Sequence, residues 1–479
     1  MRFAALYLMF LFMFLLFFCI VLMAYHQGYI DLNILFYEEK ALLAIKGSPP
    51  RLENIGFVYP PLAFLPFLFV KDYIMVSPLV SAVLMTAFMA FMVSRDSSTP
   101  IYMFLAFLLV NPLVLFLASY KFEILSFYIL LVLSVVSLIY HLETGYSFYI
   151  FASGLLFGIC FFLDFRSVFL IPFFAVSIFL STRDKDASYS MALTIVKLSP
   201  IIFFAFSWMY LNWIFTGSPL YFVKSPYSFF KSEPVDVSLL IVKGKVLGSI
   251  LYALKMLIYY LPVSFPYFLL LFRIRKYKVF YMIPLYMVYL FPVILMVFSI
   301  YFNTFFPAYY YAVIFLMFAV AFVIVLNIKP TKYFMFAVFI SLITSWILPL
   351  HSKDLNEREF VKFLITGKIK NNTKEYKKVA NVIKDDACKK VLIDDATGFP
   401  VVVFAKNPGY FYLPYMYEYY TVLSYPWAFV NCVVIDKSSS NDSIANQFPT
   451  SRFGYFKGYY LIYSGKNYNI FKLSSYGAK

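Results

Sequence analysis

Three carboxylates fall in the first polar stretch of the chain. Asp31, Glu38 and Glu39 stand between an apolar N-terminal run and the triplet Tyr59-Pro60-Pro61. A carboxylate beside a cavity roofed by aromatic and apolar side chains can take a proton from an incoming hydroxyl, which is general-base work. Asp31 is placed for that role; the plain alternative is an acid that marks the water boundary of the first helix. Glu38 and Glu39 share an amphipathic helix with Lys40 and Lys46, and the expectation for such a set is a solvated face. Pro49, Pro50, Pro60 and Pro61 stiffen the exit of the loop, as a rigid lid or as a turn into the next apolar segment.

Other ionisable residues stand within or beside apolar stretches, where charge is costly and tends to line cavities or to pair. Asp164 and Arg166 are two residues apart at an expected span end, and Glu123 follows Asn111-Pro112 and Lys121 in a similar position. Glu123 and Asp164 are candidate helpers for Asp31, with a simple interfacial placement as the alternative. Arg51, Arg166 and Lys224 are candidates for holding an anionic substrate group, because Lys and Arg stabilise charge that develops on a departing phosphate oxygen. Membrane-surface anchoring is the other reading of Lys224 and of its neighbours Lys231, Lys243 and Lys245.

Metal chemistry has little to work with. Cys19, Cys160, Cys388 and Cys432 show no metal-type spacing, and His26, His141 and His351 lie far apart in the chain. No metal ligands are assigned, and a divalent ion such as Mg or Mn is left open as a cofactor.

The elements that must position these residues are membrane helices. With 63% hydrophobic and only 13% charged residues, the chain cannot hide its apolar side chains in one soluble core. The lipid bilayer is therefore its first partner. A net charge of +16 fits cytoplasmic loops and phosphate-rich surfaces and does not imply nucleic acid. Apolar stretches at 3–24, 73–93, 100–118, 121–140, 147–163, 165–181, 191–215, 247–272, 279–301, 307–328 and 333–350 suggest about eleven spans. The first is longer than a signal-peptide core and reads as an uncleaved span. The segment 57–70 is short and carries three prolines, so it reads as a re-entrant or surface-lying piece; counting it as a span would give about twelve.

Basic residues set the expected orientation. Arg2, Arg95, Arg183 with Lys185, the run Arg273–Lys278, and Lys329 with Lys332 alternate so as to lie on one side, the cytoplasmic one. Outer loops at 25–72 and 216–246 then belong to a multi-span catalytic domain, 1–350, in a cell membrane. Residues 351–479 form an extracytoplasmic domain.

That last region changes composition abruptly. Lys374–Asp386 has helical apolar spacing, while KVLID at 390–394, CVVID at 432–436, YYLIY at 459–463 and NIFKL at 469–473 read as short strands. The expected fold is mainly α, a polytopic helical bundle, with a small C-terminal α/β domain. Cys388 and Cys432 each stand at one of those strands, as a disulfide or as two buried thiols. Acceptor patterns for N-glycosylation occur at Asn371-Asn372-Thr373 and Asn441-Asp442-Ser443.

Taken together, Asp31, Lys46-Gly47-Ser48-Pro49, Tyr59-Pro60-Pro61-Leu62, Ser119-Tyr120-Lys121-Phe122-Glu123 and Thr216-Gly217-Ser218-Pro219-Leu220-Tyr221-Phe222 resemble the GT-C superfamily of membrane glycosyltransferases. That group includes the dolichyl-phosphate-mannose protein mannosyltransferases. The resemblance implies a polyprenyl-phosphate-linked sugar donor and a hydroxyl acceptor on a glycan, lipid or protein, with inversion at the anomeric carbon. It implies that Asp31 activates the acceptor and that Tyr59-Pro60-Pro61 frames the cavity. Two departures stand out: Leu32 follows Asp31 where many relatives pair an Asp with a Glu, and Tyr309-Tyr310 lacks a preceding Arg. The four Trp are nowhere adjacent, which disfavours the oligosaccharyltransferase branch. A transporter or lipid-linked sugar flippase is the rival reading, and a non-catalytic anchor for a binding domain is a third.

Overall fold

The computed structural model describes residues 3–70, 72–95, 99–182, 185–225, 228, 241–274, 290–326, 328, 331–386 and 388–474. Several sequence expectations lie outside the described residues: Arg2, Arg183, the run 275–278, Lys329, much of the second outer loop including Lys231, and the first part of the span at 279–301. In chain order the helices needed below are α1 (Phe3–His26), α2 (Leu32–Lys46), α3 (Tyr73–Arg95), α4 (Thr99–Val110), α5 (Pro112–Tyr120), α6 (Phe122–Thr144), α7 (Ser147–Phe161), α8 (Ala187–Thr216), α9 (Val246–Ile274), α10 (Lys332–Ile347), α11 (Leu355–Thr366), α12 (Lys374–Asp385) and α13 (Asp395–Ala405).

Among the described residues, six helices are long and apolar enough to cross a membrane: α1, α3, α6, α8, α9 and α10. The chain is thus a mainly helical, multi-pass protein by composition and length. The remaining apolar stretches form shorter helices, and the sequence shows why. Pro112 opens α5 immediately after Asn111, whose side chain accepts from the Leu113 N–H at 2.9 Å, so the stretch at 100–118 is broken into two pieces. Lys121 then separates α5 from α6. The proline-rich segment 57–70 holds only a 3₁₀ turn, Pro61–Ala63, and the short helix Leu65–Phe69.

Packing divides the chain into two compact units that do not follow sequence order. The first comprises Met1–Val21, Phe57–Ala63 and Ser77–Lys368; the second comprises Leu22–Gly56, Phe64–Val76 and Ile369–Lys479.

The first unit is the helical bundle. Its interior is aromatic and aliphatic, and several of the sparse polar groups inside it hydrogen-bond to backbone or side-chain groups of a neighbouring helix. Ser77 donates to the Ala118 carbonyl at 3.1 Å, and Asn111 donates to the Ser345 hydroxyl at 3.0 Å. With no water available, a polar atom left without a partner there would cost several kcal/mol, so such ties fix which helices meet.

The second unit is built on a five-stranded sheet of β1 (Val391–Leu392), β2 (Phe411–Tyr412), β3 (Cys432–Asp436), β4 (Tyr459–Ser464) and β5 (Tyr468–Leu473), in the order β2-β1-β3-β5-β4. β1 is parallel to both β2 and β3, whereas β5 is antiparallel to β3 and β4. Alternation along the strands sends Val391, Cys432, Val434 and Ile470 to one face and Leu392, Val433, Ile435 and Phe471 to the other, so both faces are buried. Leu43 of α2 joins the first of those faces together with α12 and α13. Cys388 and Cys432 form a disulfide with Cα atoms 5.7 Å apart. The sheet, α12 and the α/β character match the sequence expectation; β2 is an added strand of two residues, too short to leave a pattern.

Candidate functional site

The helical unit places a tight ion pair inside the bundle. Asp164 caps the 3₁₀ turn Phe165–Leu170, its Oδ1 accepting from the Arg166 N–H at 2.8 Å, and the chain thereby folds the Arg166 side chain back onto the same carboxylate. Arg166 Nη2 lies 2.6 Å from Asp164 Oδ2 and its Nε donates at 2.9 Å, while Nη1 donates to the Thr304 carbonyl at 2.9 Å. This is a two-pronged pair of the kind that only a guanidinium makes. The guanidinium also sits 5.9 Å from the centre of the Tyr311 ring.

Asp164, Arg166, Tyr128, Tyr311 and Ser299 border a cavity of about 30 Å³, which is room for one or two water molecules. The Tyr128 hydroxyl is buried and makes no hydrogen bond among the described residues. Glu123 opens α6 in its first turn and is buried next to Ile124, which lines the same cavity. Sequence reading anticipated Glu123, Asp164 and Arg166 as charges near one level of the bundle. It missed the phenols, because 43 tyrosines in the chain offer no spacing that singles out two.

A second acid of this unit was also missed. Glu357 of α11 is fully buried and accepts from the Tyr309 N–H at 3.1 Å and the Tyr310 N–H at 2.6 Å, capping the 3₁₀ turn Tyr309–Ala312 from outside. Burial pushes its carboxyl up to about 8, against the lowering effect of those hydrogen bonds and of Ser352. A cap supplied by a residue 47 positions away leaves no local signature.

Lys197 in α8 was not singled out either. It is fully buried; its Nζ donates to the Ser134 hydroxyl at 2.7 Å, to the Ser153 hydroxyl at 2.6 Å and to the Ser153 carbonyl at 2.9 Å, and it lies 4.0 Å from the centre of the Phe174 ring. Its signal was a lone lysine in the apolar run at 191–215.

The second unit holds Asp31 and the helix behind it. Asp31 is the N-cap of α2, fully buried, with Oδ1 accepting from the Asn33 N–H at 2.8 Å. The turn before it is fastened to residues 369–373. Gln27 Oε1 accepts from Ile369 N–H at 3.0 Å, the Gly28 carbonyl accepts from Thr373 Oγ1 at 2.9 Å, and the Asn372 amide bonds both backbone groups of Ile30. Gly28 has φ of +82°, and a Cβ there would stand 2.0 Å from Asn371 Nδ2, so this close approach needs glycine twice over.

Farther along α2, the expected solvated face is instead partly interior. Glu38 and Lys46 keep some exposure, but Glu39 is fully buried and Lys40 nearly so. The reason is Asp395, the first residue of α13: Lys40 Nζ lies 2.6 Å from its Oδ2 and 3.1 Å from Glu39 Oε2. Phe36 packs edge-on against Phe399 in the same contact, ring centres 5.7 Å apart. Burial pushes the Glu39 carboxyl up to about 8, with Lys40 opposing the shift and Asp395 adding to it. One cation, Lys40, thus stands between two acids, and burial makes Glu39 the one suited to holding a proton near neutral pH.

The other candidates are dispersed. Arg51 is exposed and pairs loosely with Glu53 at 3.6 Å. Tyr59 is half-buried in the helical unit, and Lys224 is exposed in the short helix Tyr221–Lys224. Among the described residues no group of three or more His, Cys, Asp or Glu side chains is arranged to hold a metal ion. No family model, no curated protein and no solved structure matches the chain.

Proposed function

We propose that the chain is a membrane glycosyltransferase of GT-C type, moving a sugar from a polyprenyl-phosphate carrier to a hydroxyl acceptor on the outer side of the membrane, with the C-terminal α/β unit extracytoplasmic. The observation that carries this reading is the burial of Asp31. An acid that merely marked a water boundary would be exposed, whereas this one is completely shielded at the start of α2, with Oδ1 accepting from the Asn33 N–H. Asp31 takes the acceptor proton, the anomeric carbon is attacked from the face opposite the carrier, and the phosphate leaves with the bonding electrons. Within the helical unit, taken by itself, Arg166 is a buried cation suited to an oxyanion, with Asp164 holding it in place.

Replacing Asp31 by Asn tests the assignment cleanly, because Asn is an equally good N-cap and leaves α2 intact. The expected result is a loss of sugar transfer in membranes of about a hundredfold or more. Turnover that persists in a folded D31N protein refutes the role.

A second reading is supported by the breaks at Asn111 and Lys121, since interrupted helices within a bundle are a mark of transporters. In that reading the chain moves a lipid-linked sugar between leaflets. Reconstituted vesicles separate the two: translocation without transfer to an acceptor favours the flippase.

A further inference from the structure

Two N-glycosylation patterns lie in the second unit, and their surroundings differ in a way that decides between them. At the first, Asn371 is part of the fastening to the Gly28 turn. Its Oδ1 accepts from the Thr373 N–H at 3.1 Å and the Lys374 N–H at 2.9 Å, and its Nδ2 is pressed against Gly28, where not even a methyl group would fit. The hydroxyl of that pattern, Thr373 Oγ1, is fully buried on the Gly28 carbonyl. Although Asn371 is an exposed residue, a sugar on its Nδ2 would have to lift the amide off Gly28 and give up the two bonds that its Oδ1 accepts.

Asn441 stands differently. Like Asn371 it is exposed, in the turn between β3 and the short helix Ser443–Gln447, but its hydrogen bonds among the described residues are light: its N–H donates to Ser439 Oγ at 3.1 Å, and its Oδ1 accepts from Ser440 Oγ at 3.4 Å. Its Nδ2 makes no hydrogen bond among the described residues. A second observation bears on the compartment. The same β3 carries Cys432, bonded to Cys388, and such a bond persists on the oxidising side of a membrane.

We infer that Asn441 is a glycan acceptor in the folded protein and that Asn371 is not. The inference rests on the outward placement of the second unit proposed above, but on no chemistry at Asp31. In the step itself, the Asn441 amide nitrogen attacks the anomeric carbon of a lipid-phosphate-linked oligosaccharide presented by a separate transferase. The new N–C1 bond forms as the C1–O bond breaks, the lipid phosphate departs with the electron pair, and the amide proton passes to a base of that transferase. The attached glycan shields a polar turn rather than any packed face.

The test is mass spectrometry of peptides from the full-length protein, purified from membranes of a host that N-glycosylates exported proteins. A glycan on the Asn441 peptide with a bare Asn371 peptide supports the inference, as does complete loss of the glycan-dependent gel shift in N441Q and its retention in N371Q. A glycan on Asn371, or a bare Asn441, overturns it. In the latter case a membrane-impermeant amine reagent applied to intact cells shows whether the outward placement falls too. Labelling of the exposed Lys457 and Lys466 means that only the acceptor assignment was wrong, and sugar transfer by the D31N protein is read independently of either outcome.

Discussion

The side chain of Asn372 holds both backbone groups of Ile30: Oδ1 accepts from the Ile30 N–H at 3.0 Å, and Nδ2 donates to the Ile30 carbonyl at 2.7 Å. Ile30 is buried and immediately precedes Asp31, so this amide fixes where the N-cap of α2 begins. Substituting Asn372 by Ala leaves a buried donor and a buried acceptor without partners, at a cost of about 1–3 kcal/mol each. Asn372→Asp keeps the acceptor but sets a carboxylate oxygen against the Ile30 carbonyl, so its loss should be at least as large. Chemical denaturation of the detergent-solubilised protein measures both. Equal stability of N372A and wild type would mean that the Gly28 contacts alone hold the turn.

The Lys40–Asp395 pair is expected to behave as a fastening rather than as a source of net stability. Removing one partner strands a nearly buried charge, so Lys40→Met should cost about 3–5 kcal/mol, whereas K40M combined with D395L replaces the pair by packed apolar groups and should recover much of it. A double-mutant cycle gives the coupling directly. Additive losses in the cycle would show that the 2.6 Å contact carries no weight.

Glu39 supplies a pH dependence with a definite sign. Its folded carboxyl titrates near 8, above the ordinary value of 4.5, so the native state holds a proton that the unfolded chain releases. The stability this provides is complete below about 4.5 and is lost as pH rises to about 8. Above that, Glu39 and Asp395 share Lys40 and the cluster carries one uncompensated negative charge. Glu39→Gln should flatten the stability profile over this window and leave the variant more stable than wild type at pH 8.5, by an amount on the order of a few kcal/mol. Melting temperatures across the range decide it: an unchanged slope in E39Q would place the titration elsewhere, with Glu357 and Asp442, also raised by burial, as the groups to substitute next.

What the sequence revealed follows the range of the forces involved. The six helices long and apolar enough to cross a membrane and the strands at 432–436, 459–464 and 468–473 were legible because each is specified by its own composition and alternation, although about eleven spans were expected. The Asp164–Arg166 pair was partly legible, since two residues of opposite charge two positions apart in an apolar run have little else to bond. The burial of Glu39 and Lys40 was not, because the residue that makes it tolerable is 355 positions away and looks on its own like an ordinary helix-start acid. The same holds for the Gly28 turn: nothing local says that its carbonyl will accept from Thr373.

The ion pair in the bundle allows stability and ligand binding to be moved in opposite directions. Asp164→Asn keeps the cap on the Arg166 N–H, because an Asn side-chain oxygen accepts there as well, but removes the charge and puts an amide donor where Oδ2 accepted from Nε and Nη2. Arg166 then stays buried with the Thr304 carbonyl and the Tyr311 ring as its principal partners, which should cost about 3–5 kcal/mol of stability. The freed guanidinium should bind a phosphate-bearing lipid more tightly if its place is to hold the carrier, since the carboxylate no longer competes for its two-pronged face. Arg166→Lys should weaken both, losing the fork that meets two oxygens at once. Thermal denaturation and binding of a polyprenyl phosphate, measured on the same preparations, give the two readouts. A D164N protein that loses stability without gaining affinity would show that the pair serves packing alone, and the phosphate cation would then have to be sought among the exposed Arg51 and Lys224.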